Sequence, residues 1–187
     1  MSTAPAIVSA TAVSKWNIDP VHSIAEFRVK HMMISSVRGQ FTGVTGTLTF
    51  NESDLAQSQV EAVIDVSTIN THDPQRDTHL KSPDFFDVEK FPTMTFKSSR
   101  VTRKGNGSLA VSGPLTVHGT TKEVEFEVEG PTPPAKDPWG NTRVGITAKT
   151  KVNRTHFGLN FNAALETGGV LVGEDVSITL ELEFVKA

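Results

Sequence analysis

Val176-Ser177-Ile178-Thr179-Leu180-Glu181-Leu182-Glu183-Phe184 is the stretch that decides the fold. Apolar and polar residues alternate without a break over all nine positions, the period of a strand that buries one face and wets the other. The same period recurs along the chain. Ala25, Phe27, Val29 and His31 share one parity in a run near 23–32, with Glu26, Arg28 and Lys30 on the other. Val37 to Phe50 forms a second run, whose parity slips between Phe41 and Val44 where Gly39, Gly43 and Gly46 fit a bulge or sharp bend. Val60, Ala62, Ile64 and Val66 follow, then Met94 and Phe96, then Leu109, Val111, Leu115 and Val117. Val124, Phe126 and Val128 and finally Val144, Ile146, Ala148, Thr150 and Val152 complete the set. About eight such strands close into an antiparallel barrel whose interior is either filled by side chains or holds one small ligand. The expected fold is therefore all-β, a closed antiparallel barrel of about eight strands.

The period of two disappears between Asn70 and Pro92. There Asp73-Pro74 and Ser82-Pro83 each place a capping side chain before a proline, which predicts two short helix starts. Pro114 belongs at an edge or irregularity. Glu123, Glu125, Glu127 and Glu129 face outward on one strand and Arg143, Lys149 and Lys151 on the next, a complementary ladder that would help fix register.

Composition narrows the function. The 187 residues suit one domain, divided into a flexible segment 1–14 and a barrel domain 15–187. With 18 basic and 21 acidic residues the net charge is −3, which offers no field for nucleic acid. There is no cysteine, so disulfides, thiolate metal sites and cysteine nucleophiles are excluded. The opening residues lack the cationic start of an export signal, and no apolar run reaches the roughly 20 residues that span a bilayer. A cytoplasmic, non-membrane-spanning protein is expected.

Several blocks are similar to those of the YceI-like family, whose members are lipocalin-like barrels that bind polyisoprenoids and related long-chain lipids. The first is Trp16-Asn17-Ile18-Asp19-Pro20-Val21-His22-Ser23, leading into Phe27, Val29 and His31. The middle block is Arg76-Asp77-Thr78-His79-Leu80-Lys81-Ser82-Pro83-Asp84-Phe85-Phe86-Asp87, followed by Phe91-Pro92-Thr93-Met94-Thr95-Phe96. Gly113-Pro114-Leu115-Thr116-Val117-His118-Gly119-Thr120-Thr121-Lys122, Asp137-Pro138-Trp139-Gly140 and Asn153-Arg154-Thr155-His156-Phe157-Gly158-Leu159 complete the set, in order, over about residues 16 to 184. The resemblance implies an extended eight-stranded antiparallel lipocalin-like β-barrel with one or two short helices, a long apolar cavity and no catalysis. It also implies a bound isoprenoid, quinone-like or other long-chain lipid in place of any cofactor. Many relatives are secreted or periplasmic, so the compartment departs from the family pattern.

The candidate ligand-binding residues are Phe27, Val29, His31, Phe41, Ala62, Ile64, Arg76, His79, Phe86, Met94, Phe96, Leu115, Val117, Phe126, Ile146, Ala148 and Phe157. The apolar members gain roughly 0.8 kcal/mol per buried ligand methylene, or simply fill a core. His31 would meet a head group or be a satisfied core histidine. Arg76 and His79 would hydrogen-bond a head group, or Arg76 and Asp77 would form an ion pair that braces the helix. Two enzyme readings compete: zinc on His72 and His79, or a hydrolase triad from Asp19, His22 and Ser23. A purely structural dimer with a filled barrel is a third class, and a homodimer is compatible with the lipid reading as well.

Overall fold

The structure, a computed structural model, describes residues 13–187. Most of the segment expected to be flexible lies outside these residues, but Val13 and Ser14 already belong to the first strand. The strands are β1 (Val13–Ile18), β2 (Ile24–His31), β3 (Ser35–Phe41), β4 (Val44–Asn51), β5 (Gln59–Asp65), β6 (Thr93–Lys97), β7 (Arg100–Arg103), β8 (Leu109–Val117), β9 (Thr120–Glu129), β10 (Ala135–Lys136), β11 (Thr142–Asn153) and β12 (Val172–Lys186). One helix, α1 (Pro74–Lys81), interrupts them.

Eight of these strands close a ring in the order β1-β4-β5-β6-β8-β9-β11-β12, and β12 returns to β1 through Ile18↔Phe184 and Trp16↔Lys186. Every pairing is antiparallel, so each strand keeps its apolar parity toward the axis. Phe184 is wholly buried, with Val44 and Val66 close to it in burial.

The barrel is elongated because β12 carries two partners in succession along one edge. Beyond β1 it pairs with β2 from Glu181↔Ile24 to Val172↔His31, while β11 follows its other edge. β1 and β2 are thus one strand interrupted at residues 19–23. Across the interruption Asp19 N–H donates to the Glu183 carbonyl at 2.8 Å, and Glu183 N–H donates to Ser23 Oγ at 3.0 Å. The ladder bonds lost by the break are replaced in place.

β3 and β4 repeat the device at the parity slip between Phe41 and Val44. β4 pairs with β5, but β3 meets the following chain only at Gln40↔Asn70. Residues 66–92 fill the remaining gap. Asp73 caps α1 by accepting from Gln75 N–H and Arg76 N–H, and Pro74 occupies the first turn. The helix start expected at Ser82-Pro83 does not form. Ser82 instead ends α1, its hydroxyl donating to the His79 carbonyl at 2.7 Å, and the chain continues in turns. Pro114 sits in β8 between the stretches that pair with β6 and with β7, where a missing donor costs nothing.

The charge ladder is only partly realised. Lys149 lies 3.8 Å from Glu129, but Lys151 pairs with Asp175 of β12 and Arg143 turns to other carboxylates. β11 has carboxylates on both flanks, and parity does not say which flank wins.

Candidate functional site

The inward rows enclose one elongated cavity of about 240 Å³. Its wall is almost wholly hydrocarbon. Ile146 and Val152 of β11 both line it, so it follows that strand for about 20 Å at the usual rise per residue. An apolar cavity of that length suits an extended chain.

Phe27, Val29, Phe41, Ala62, Ile64, Phe86, Met94, Phe96, Leu115, Val117, Phe126, Ile146, Ala148 and Phe157 all stand in the wall. Strand parity places twelve of them, and Phe86 comes from the turns after α1. Phe157 arrives differently, through a 3-10 turn at Arg154–Phe157 that Asn153 caps by accepting from Thr155 N–H at 2.9 Å. Gly158 follows at φ +79°, a left-handed conformation that lets Leu159 turn back into the wall. Phe50, Leu80, Phe85 and Arg154 also line the cavity and were not among the sequence candidates. Phe50 follows from the parity of Val44 and Leu48. No period could place Leu80, Phe85 or Arg154, which lie on α1, a turn and the 3-10 segment.

His31, Arg76 and His79 stand outside the wall. His31 pairs with Ser35 and Val172 at the end of β2, beyond Val29, the last lining residue of that strand. Arg76 Nε donates to Thr71 Oγ1 at 2.8 Å and Nη2 to the Thr71 carbonyl at 2.7 Å. Asp77 accepts from Thr71 N–H and Oγ1 at 2.8 and 2.6 Å. Arg76 and Asp77 therefore both grip Thr71, next to the Asn70 bridge to β3, and the expected Arg76–Asp77 ion pair is replaced by this shared hold. His79 bonds Asp84 at 2.8 Å and stands edge-on to Phe85 and Phe161. Arg76 and His79 thus brace the segment that covers the gap, and His31 stands apart from it at the end of β2.

The Asp19-His22-Ser23 triad does not assemble. His22 Nδ1 lies 2.9 Å from Asp19, but Ser23 is buried and spends its hydroxyl on the Glu183 backbone, with no bond to His22. Asp19, His22 and Glu183 are grouped closely enough to hold a cation, and Arg143 already supplies one. Its guanidinium bonds Asp19 at 2.6 Å, Asp137 at 2.7 Å and Glu183. Arg143, and then His22, hold the Asp19 carboxyl well below the usual range. Arg143 and Asn141 do the same for Asp137, and the three acids raise the guanidinium in turn. This network explains two of the sequence blocks. Asp19-Pro20-Val21-His22 shapes the β1–β2 interruption, and Asp137-Pro138-Trp139-Gly140 turns the chain so that Asp137 accepts from Trp139 N–H, Asn141 N–H and Arg143 together.

Residues 16–184 match the YceI-like domain family. UPF0312 protein SA2479 of Staphylococcus aureus (strain N315) is 38% identical over 173 residues, which cover 92% of this chain and 98% of that protein. The Campylobacter jejuni YCEI protein superposes with a TM-score of 0.67 at 27% identity, over 84% of this chain and 90% of the other. Burkholderia cenocepacia BcnA gives a TM-score of 0.75 at 22% identity, over 89% and 98%. A polyisoprenoid binding domain from Saccharophagus degradans, implicated in plant cell wall breakdown, gives 0.67 at 14% identity, over 94% and 100%.

Proposed function

Because the chain belongs to the YceI-like family, we propose that its barrel binds a long-chain amphiphile, an isoprenoid or a similar lipid, and sequesters or carries it without chemistry of its own. The observation that carries this reading is the hydrocarbon-lined tube along the barrel axis. Each methylene placed there gains roughly 0.8 kcal/mol, so ten or more make a strong site with few polar contacts. The Saccharophagus degradans domain of the same fold, which binds polyisoprenoid, supports the ligand class. A filled, purely structural barrel would leave no such tube, and a hydrolase would need Ser23 to reach a base.

Native mass spectrometry of the purified protein, followed by organic extraction, tests the proposal. A discrete adduct that extraction releases as a stoichiometric long-chain compound is the expected result. Clean extracts, together with failure of long-chain probes to bind, would overturn it.

A further inference from the structure

Met32 and Met33 hold the two central positions of the turn that joins β2 to β3, which the Ile34 N–H closes by donating to the His31 carbonyl at 3.0 Å. Both have left-handed backbone, at φ +51° and +60°. Such a turn is ordinarily made by Asn-Gly or Asp-Gly, because bulky side chains resist positive φ. Methionine there suits neither the backbone nor the solvent, yet Met33 is 62% exposed and Ile34 80%. Met32 N–H also donates to the Leu171 carbonyl at 2.8 Å, and exposed Val170 shares a surface depression with Met33. A local conflict of this kind between residue type and structure points to function.

Behind the apolar tip stand three exposed cations, Arg28 and Lys30 of β2 and Arg38 of β3. Arg28 and Arg38 are directly opposite each other, a like-charge pair that is unfavourable unless something anionic lies against it. None of the three is in an ion pair among the described residues. From Ile24 to Phe41 they meet one acid, Glu26, at the end away from the tip, in a chain of net charge −3. Of the neighbouring acids, Asp175 pairs with Lys151 at 2.7 Å and Glu174 accepts from Asn153 Nδ2 at 3.2 Å, while Glu166 is exposed in the adjoining loop. Lys30 stands two residues behind Met32, about 7 Å at the rise of a strand, which matches the depth of one head-group layer.

We propose that this tip docks the barrel on an anionic lipid bilayer, with Met33 and Ile34 in the acyl boundary and Lys30, Arg28 and Arg38 against lipid phosphates. Long cationic side chains lay their stems along apolar surface and hold their charge at the head groups, where an anionic leaflet attracts them. A bilayer fits better than a protein partner, because the four exposed apolar side chains here fall well short of the roughly 20 residues a side of a stable protein interface. Val172, next after Leu171, pairs with His31 and lines the cavity, so docking sets that end of the cavity against the membrane. Ligand exchange through this contact rests on the lipid-binding reading, whereas the docking itself does not.

The test is flotation of the full-length protein with phosphatidylcholine vesicles, with or without about a third of phosphatidylglycerol. Binding to the anionic vesicles should exceed that to the neutral ones by about tenfold or more and should fall as salt is raised to about 1 M. Met32→Asn combined with Met33→Gly suits the turn, so its thermal midpoint should hold or rise while vesicle binding is lost. Lys30→Gln combined with Arg28→Gln should remove the preference for the anionic vesicles. A fluorescent long-chain fatty acid, offered without vesicles, reads the cavity separately and should bind the wild type and both variants alike. Wild-type protein that takes this probe but ignores vesicles would overturn the docking and leave the lipid reading standing. Protein that floats with vesicles but refuses the probe would do the reverse. Equal flotation of the wild type and the Met32→Asn/Met33→Gly protein, or a solution dimer that this change dissociates, would also overturn the docking, the latter in favour of a second copy of this chain.

Discussion

Phe86 stands edge-on to Phe41, with ring centroids 5.8 Å apart and ring planes at 90°, so the segment after α1 is pinned to β3 through the cavity itself. Both rings also line the tube. The contact that closes the side of the barrel is thus the contact a ligand must slide past. Phe86→Ala should destabilise the ligand-free protein by about 2 to 3 kcal/mol, below the 3 to 5 of a fully buried phenylalanine because Phe86 is only half-buried. It should also speed ligand exchange. Urea unfolding reads the first effect and stopped-flow displacement of a fluorescent long-chain probe the second.

Ala148 is buried between Val128 and Leu180 on the neighbouring strands and leaves room in the wall. Ala148→Phe should obstruct the tube and abolish long-chain binding, with the thermal midpoint of the ligand-free protein unchanged or raised. A core with no space would instead lose about 1 to 3 kcal/mol on the same change, and a marked drop in midpoint by calorimetry would point to a filled barrel.

Arg143 sets an acid limit. The carboxyls of Asp19 and Asp137 are depressed in the folded protein, so their contribution is fully present above the ordinary aspartate value and lost as pH falls through the folded one. Stability should therefore fall below about pH 4. Arg143→Met should be less stable at pH 7 and show a shallower decline on acidification. Parallel declines for the two proteins in urea titrations from pH 6 to pH 2 would remove Arg143 as the cause.

Gly113 presses on the carbonyl of Lys97, and a Cβ there would lie 2.1 Å from that oxygen. The obstacle is backbone and cannot rotate away. Gly113→Ala should separate β8 from the chain between β6 and β7 and cost more than the ~1 kcal/mol of a typical substitution. Expression and thermal melting check this, with Gly105→Ala as the control, because a Cβ at Gly105 meets nothing.

Parity alone placed most of the cavity wall, because a strand residue such as Phe126 has two directions to choose from and its neighbours fix the choice. The same rule left His31 misleading. Its parity is inward, but the cavity wall takes its pair partner Val172 and not His31 itself. Arg76 and His79 lie on α1, where the partner is set by a tertiary contact, Thr71, that no local period encodes. Arg154 was within a recognised block yet had no visible role, since its hydrogen bonds to the Leu159, Val172 and Gly173 carbonyls form only when β12 folds over it. β1 and β7 went unread because each is short and one is contiguous with residues read as flexible.

β12 lies last along the chain, yet it bonds to β1, β2 and β11. Ring closure joins residues about as far apart in sequence as this chain permits. Contacts of that separation must overcome a large loop-closure entropy before they return any stability, so folding should be slow for a protein of this size. Until Val172–Lys186 is available, β1 and β2 have one bare edge and the hydrocarbon interior faces water. An incomplete chain is therefore a poor fold and a good substrate for aggregation or for a chaperone.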